Sequence, residues 1–159
     1  MTYAMSLPRH GGPDLFEKID FTAPVPGPGE VKIAHRAIGL NFIDTYMRSG
    51  LYSAELPGIL GCEGAGEVVA VGQGVEDLKV GDRVAYCQGL GAYATERVHK
   101  AAQVVKLPDS VAYEAAAAIM LQGLTVRYLL KNSYPVQRGE TVLWHAAAGG
   151  RGSYRLSMG

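Results

Sequence analysis

The sequence predicts a β-rich, partly open barrel with short helices, running into the start of an α/β unit. Three observations predict it. Short apolar–polar alternations between glycine turns recur through the first two thirds of the 159 residues. An alanine-rich stretch of helical character follows Pro108. Residues 139–152, G-E-T-V-L-W-H-A-A-A-G-G-R-G, then carry an apolar run into a glycine cluster, the pattern of a buried strand that opens a phosphate-binding turn.

The elements follow in order. Residues 2–7 alternate loosely and stop at Pro8, and H-G-G-P at 10–13 turns the chain into a second strand over 15–21. The connector P-V-P-G-P-G at 24–29 cannot donate freely to a ladder. Residues 30–40 alternate as a half-buried strand does. Asn41 caps a short helix through Met47, which Gly50 ends. Further strands are expected over 67–71, 83–87, 93–98 and 104–107. Asp109 or Ser110 caps a helix over 111–121, Gly123 interrupts it, and residues 124–130 form a second helix. Residues 141–146 are apolar without alternation, as in a strand buried on both faces.

Composition narrows the function classes. Fifteen basic residues balance fifteen acidic ones, so nothing marks a nucleic-acid surface. No apolar run reaches membrane-spanning length, and no secretory signal is apparent. Cys62 and Cys87 are the two cysteines, too few for a disulfide framework and consistent with a reducing cytoplasm.

Two glycine-rich segments carry the chemistry. Small residues at 146–152 let backbone N–H groups approach a pyrophosphate at a helix N-terminus, although such a cluster also serves as a simple turn. Residues 61–72, G-C-E-G-A-G-E-V-V-A-V-G, are followed by V-G-D-R-V at 80–84. Taken with A-I-G-L-N-F-I-D-T-Y at 37–46, R-S-G-L-Y at 48–52, L-G-A-Y at 90–93, G-L-T-V at 123–126 and H-A-A-A-G-G at 145–150, the chain resembles the NADPH:quinone oxidoreductases. These form the zeta-crystallin-like branch of the zinc-free medium-chain dehydrogenase/reductase superfamily.

The resemblance implies a GroES-like catalytic domain over 1–121, without the late segment that completes it in the family. The start of a Rossmann NADPH-binding domain is implied over 122–150. It implies NADPH as cofactor, hydride transfer to a quinone, and a family homodimer. By position, Asn41, Asp44, Tyr46, Tyr52 and Thr125 match residues lining the nicotinamide end, and Gly149, Gly150 and Gly152 match the phosphate loop. The residues alone read otherwise: Asn41 as a cap, Tyr46 and Tyr52 as packing aromatics, Thr125 as a helix-surface residue. No metal is expected. Zinc-dependent relatives carry Cys where this chain has Asn41 and His where it has Cys62, and Cys62 with Glu63 falls short of the three protein ligands zinc wants. Cys62 is expected to be free and inert, and no residue is singled out as catalytic, because the cofactor carries the chemistry. An enone or alkenal reductase of the same superfamily is the sibling reading. A non-catalytic barrel acting as an oligomerisation or binding module is the reading from another class.

After Gly150 the family continues with a helix of the type V-G-L-I-A-C-Q-W-A-K, whereas this chain has R-G-S-Y-R-L-S-M-G. Prefixing one C to the coding string GTG GGT CTT ATC GCC TGT CAA TGG GCT AAG and regrouping yields R-G-S-Y-R-L-S-M-G and then a stop. Residues 151–159 are therefore expected to be an out-of-frame tail on a truncated oxidoreductase, with weak or absent NADPH binding, little turnover and a tendency to self-associate through unpaired edges. The nucleotide sequence around codon 150 checks this: the tail codons, moved by one base, should spell the family helix, and any other reading overturns the expectation.

Overall fold

The computed structural model describes residues 1–145. The chain divides into two compact units, Met1–Ala118 and Ile119–Gly159.

The first unit holds all the described strands. β1 (Tyr3–Leu7) pairs antiparallel with β2 (Glu17–Asp20) after a 3₁₀ turn at Pro13–Leu15. Proline at the first position of that turn has no N–H to leave unpaired. β3 (Glu30–Ile38) begins once the proline connector is passed, and its alternation buries Val31 and Ile33. The chain continues through α1 (Phe42–Ser49), β4 (Gly58–Ile59), β5 (Glu63–Val71), β6 (Arg83–Cys87), β7 (Glu96–Lys100) and β8 (Val104–Lys106). Two antiparallel sheets result, ordered β2-β1-β4 and β7-β3-β5-β6-β8. A bridge between Ala4 and Ala94, with Met5 N–H donating to the Tyr93 carbonyl at 2.7 Å, joins them without closing a barrel.

β3 and β5 are the central pair. Their register runs from Val31 opposite Val71 to Ile38 opposite Gly64, with irregularities at Lys32/Ile33 and His35/Ala37. Glycine at position 66 permits this approach, since a Cβ there would collide with the Ala34 carbonyl oxygen. One face buries Val31, Ile33, Val68, Leu78, Val84 and Tyr86 together; Leu7, Leu60 and Tyr93 form a second core.

In the larger core, His35 Nδ1 donates to the Ala94 carbonyl at 2.6 Å, so its Nε2 accepts from the Tyr86 hydroxyl at 2.8 Å. His99 lies 4.7 Å from the Tyr86 ring, and its buried Nε2 has no hydrogen-bond partner. Arg97 stacks on the same ring at 4.7 Å.

Several boundaries differ from the sequence expectation. β5 starts at Glu63 rather than at 67, because residues 63–66 pair with β6 despite their two glycines. β7 starts at Glu96 rather than at 93, because Tyr93 is spent on contacts to Leu60 and Met5. The two-residue β4 carries too little pattern to be seen in advance. The helix after Pro108 is one helix, α2 (Tyr113–Tyr128), and not two. Gly123 costs only about 1 kcal/mol against alanine in a helix interior, which the flanking turns carry. A π-type turn, Leu129–Ser133, follows it. Residues 141–145 carry no strand, and Leu143 is 84 % exposed. An extended run becomes a strand only through a ladder partner, and no described strand lies in that unit.

Burial holds His99 well down, to about 4, and lowers His35 as well, with the Arg97 charge adding to both. The unfolded chain therefore takes up protons that the fold refuses. The contribution of His99 is complete above about pH 6.5 and is lost as the pH falls towards 4, and that of His35 is lost in the same direction. Urea titrations across that window are expected to show stability declining by up to about 1.4 kcal/mol per pH unit for each histidine. His99→Leu, which loses no hydrogen bond, should flatten the decline.

Candidate functional site

The site is assembled where β3 ends and β5 begins. Gly39 N–H donates to the Glu63 carbonyl at 3.1 Å, and the Glu63 side chain occupies the space a Cβ on Gly39 would need. The chain then enters α1, whose N-cap is Asn41 in an extended conformation. Asp44, in the first turn, turns back so that its Oδ2 accepts the Asn41 backbone N–H at 2.9 Å. Gly50, with φ 84°, closes the helix by donating to the Met47 carbonyl.

Three polar side chains are buried together here: Asn41, Asp44 at 4 % exposure and Glu63 at 1 %. Asn41 Nδ2 donates to Glu63 Oε1 at 2.6 Å and lies 4.0 Å from Cys62 Sγ. Tyr93 donates its hydroxyl to Asp44 Oδ2 at 2.7 Å. Asp44 Oδ1 is buried with no hydrogen-bond partner, an acceptor that costs stability unless a donor meets it.

Beside this buried cluster runs an exposed apolar ridge. Phe42 meets Tyr46 edge-on at 5.5 Å, and Tyr46 meets Tyr52 at 5.3 Å. Leu40 and Phe42 are 82 % and 76 % exposed, and Leu51 and Tyr52 are also exposed. The Tyr52 N–H is fixed on the Tyr46 carbonyl at 3.1 Å.

The sequence-expected residues thus fall into groups. Asn41 and Asp44 share one buried network, and Tyr46 and Tyr52 stack in the ridge. Thr125 belongs to the second unit, where its hydroxyl donates to the Leu121 carbonyl one turn earlier at 2.8 Å. Gly149, Gly150 and Gly152, with the tail, lie outside the described residues. Sequence reasoning passed over Glu63, Tyr93 and Phe42 as site residues. Phe42 was legible from its i, i+4 spacing to Tyr46. Nothing local reveals that Glu63 and Tyr93 converge on α1.

Two features limit the chemistry. Burial, with the Asp44 charge next in weight, pushes the Cys62 thiol up to about 12; burial and the Glu63 charge push Cys87 up to about 11. Neither offers a thiolate near neutrality. Among the described residues, no group of three His, Cys, Asp or Glu side chains is arranged to hold a metal ion. The cluster can therefore orient a ligand, accept a hydrogen bond at Asp44 and present aromatic faces to a flat ring. No described helix is long and apolar enough to cross a membrane.

A model of the alcohol dehydrogenase GroES-like domain matches residues 27–109. The quinone oxidoreductase of Pseudomonas aeruginosa is 54 % identical over 156 residues, which cover 97 % of this chain and 48 % of that protein. The solved quinone oxidoreductase of Pseudomonas syringae pv. Tomato superposes with a TM-score of 0.92 at 56 % identity, covering 96 % of this chain and 48 % of the other. The Escherichia coli quinone oxidoreductase solved with NADPH gives a TM-score of 0.91 at 46 % identity, covering 96 % and 47 %. The chain spans about half the length of the relatives it matches.

A thiol reagent at neutral pH is expected to label neither Cys62 nor Cys87 in the folded protein and both in urea. Labelling of the native state would show that the thiols are open to solvent.

Proposed function

This chain belongs to the alcohol dehydrogenase GroES-like domain family, and on that premise we propose that it forms the nicotinamide side of an NADPH-dependent quinone oxidoreductase. The observation that carries the reading is the likeness to a quinone oxidoreductase solved with NADPH. The residues present fit such a cofactor at one point that can be checked on the structure itself. The orphaned Oδ1 of buried Asp44 is an acceptor for a carboxamide N–H or ribose hydroxyl.

When bound, NADPH supplies the hydride. The chain's own residues bind and orient. Asn41, held by Glu63 and by its cap, gives a fixed polar edge. Asp44 accepts from the cofactor. Tyr46 and Tyr52, with Phe42, give aromatic surface against which a flat quinone packs and from which water is excluded. No nucleophile is called for, which agrees with two thiols held protonated by burial. On the family resemblance alone, Thr125, Gly149, Gly150 and Gly152 are proposed as further cofactor-binding residues.

Saturation-transfer NMR tests it, because the method registers weak contacts. Saturating the protein methyls is expected to reach the nicotinamide protons of NADPH, and Asn41→Ala should remove most of that signal. With NADP+ in place of NADPH, so that no hydride passes, saturation transfer is expected to be stronger to a simple benzoquinone than to an open-chain enone, which separates quinone from enone recognition. Absence of any transfer to the nicotinamide at millimolar NADPH would overturn the reading.

A further inference from the structure

We propose that Tyr93 is a positioning residue of this site: its hydroxyl pins the Asp44 carboxylate and, through it, sets the place of Asn41. The proposal rests on the cofactor reading only for its functional consequence; the positioning itself is a property of the chain.

Tyr93 is held as a fixed point from both sides. Its N–H donates to the Leu60 carbonyl at 2.9 Å, and its carbonyl accepts the Met5 N–H at 2.7 Å. The backbone is thus tied to the β1 sheet and to the loop before β5. Its ring packs with Leu7 and Leu60 and meets Phe16 edge-on at 5.9 Å. Gly61 clears room for it, since a Cβ there would strike the ring. The hydroxyl reaches Asp44 Oδ2 at 2.7 Å, the same oxygen that accepts the Asn41 N–H at 2.9 Å. One oxygen therefore joins a residue tied to β1 and to the loop before β5 to the first turn of α1.

The donor role is unambiguous. Burial, with the Asp44 contact adding to it, holds the Tyr93 phenol protonated well above the ordinary tyrosine range. Without this bond the buried carboxylate keeps the Asn41 N–H as its only hydrogen-bond donor that the structure identifies, while Oδ1 has none. A carboxylate so placed rotates or draws in water, and the N-cap of α1 moves with it.

The test compares Tyr93→Phe with Tyr113→Phe. Tyr113 also loses a hydroxyl bonded to a carboxylate, Glu67 at 3.2 Å, but away from α1. Tyr93→Phe is expected to move the backbone and side-chain amide resonances of Asn41 in the cofactor-free protein. It should also weaken NADPH, read by saturation transfer, about tenfold. Tyr113→Phe should leave both unchanged. A merely structural role for Tyr93 would lower Tm yet leave the Asn41 resonances in place, and that result overturns the proposal. If the wild-type chain transfers no saturation to NADPH, the cofactor reading fails alone, and the Asn41 resonances still decide the role of Tyr93. Should Tyr93→Phe not fold, the wild-type spectrum decides: a slowly exchanging Tyr93 hydroxyl proton with a cross-peak to the Asn41 amide supports positioning, and its absence overturns it.

Discussion

The register of β3 against β5 is the constraint from which the site follows. Ile38 opposite Gly64 leaves Gly39 facing Glu63, and the ladder is prolonged by the Gly39 N–H to the Glu63 carbonyl. That places the Glu63 carboxylate where Asn41 Nδ2 reaches it two residues later. A slip by one residue would send Glu63 to the opposite face and leave a buried carboxylate without Asn41. The same ladder admits no side chain at Gly66 and none at Gly39. Glycine at these positions is demanded by close approach rather than by backbone conformation.

Buried polarity at the end of this ladder is costly, and the structure offsets the cost through shared hydrogen bonds. Asp44 Oδ2 serves two donors, and Asn41 joins Asp44 to Glu63. Asp44 Oδ1 is the exception. An unmet acceptor inside an otherwise satisfied network is the kind of local inconsistency that function explains better than folding does. The exposed ridge from Leu40 to Tyr52 is its apolar counterpart, on the same helix and the chain on either side of it as an acceptor that still needs a donor.

Much of the architecture was legible because it depends on local rules. The Asn41 cap and the Gly50 stop mark α1 within two residues of its observed end, through side-chain capping and a left-handed glycine. The alternation of E-V-K-I-A-H-R-A-I marks β3. Gly123 misled because a single glycine is a weak breaker when helix-forming residues flank it on both sides. The apolar run after Thr141 misled because strand character is a property of pairs, and periodicity describes only one member. The quinone oxidoreductase resemblance came from motifs in order and spacing and agrees with the relatives found.

By itself the sequence determined the β-rich class, the placement of α1 and the family, and it put forward Asn41, Asp44, Tyr46, Tyr52, Thr125, Gly149, Gly150 and Gly152 as candidates. These rest on capping, alternation and motif order, all written along the chain. Only the tertiary structure decided that Glu63 and Tyr93 meet the first turn of α1, that His35 and His99 are kept neutral against Tyr86, and that one Asp44 oxygen carries two bonds while the other carries none. The reason is physical. Tyr93 and Asp44 are separated by 49 positions, and their contact exists because two sheets and a helix pack together; no spacing rule within one segment encodes it.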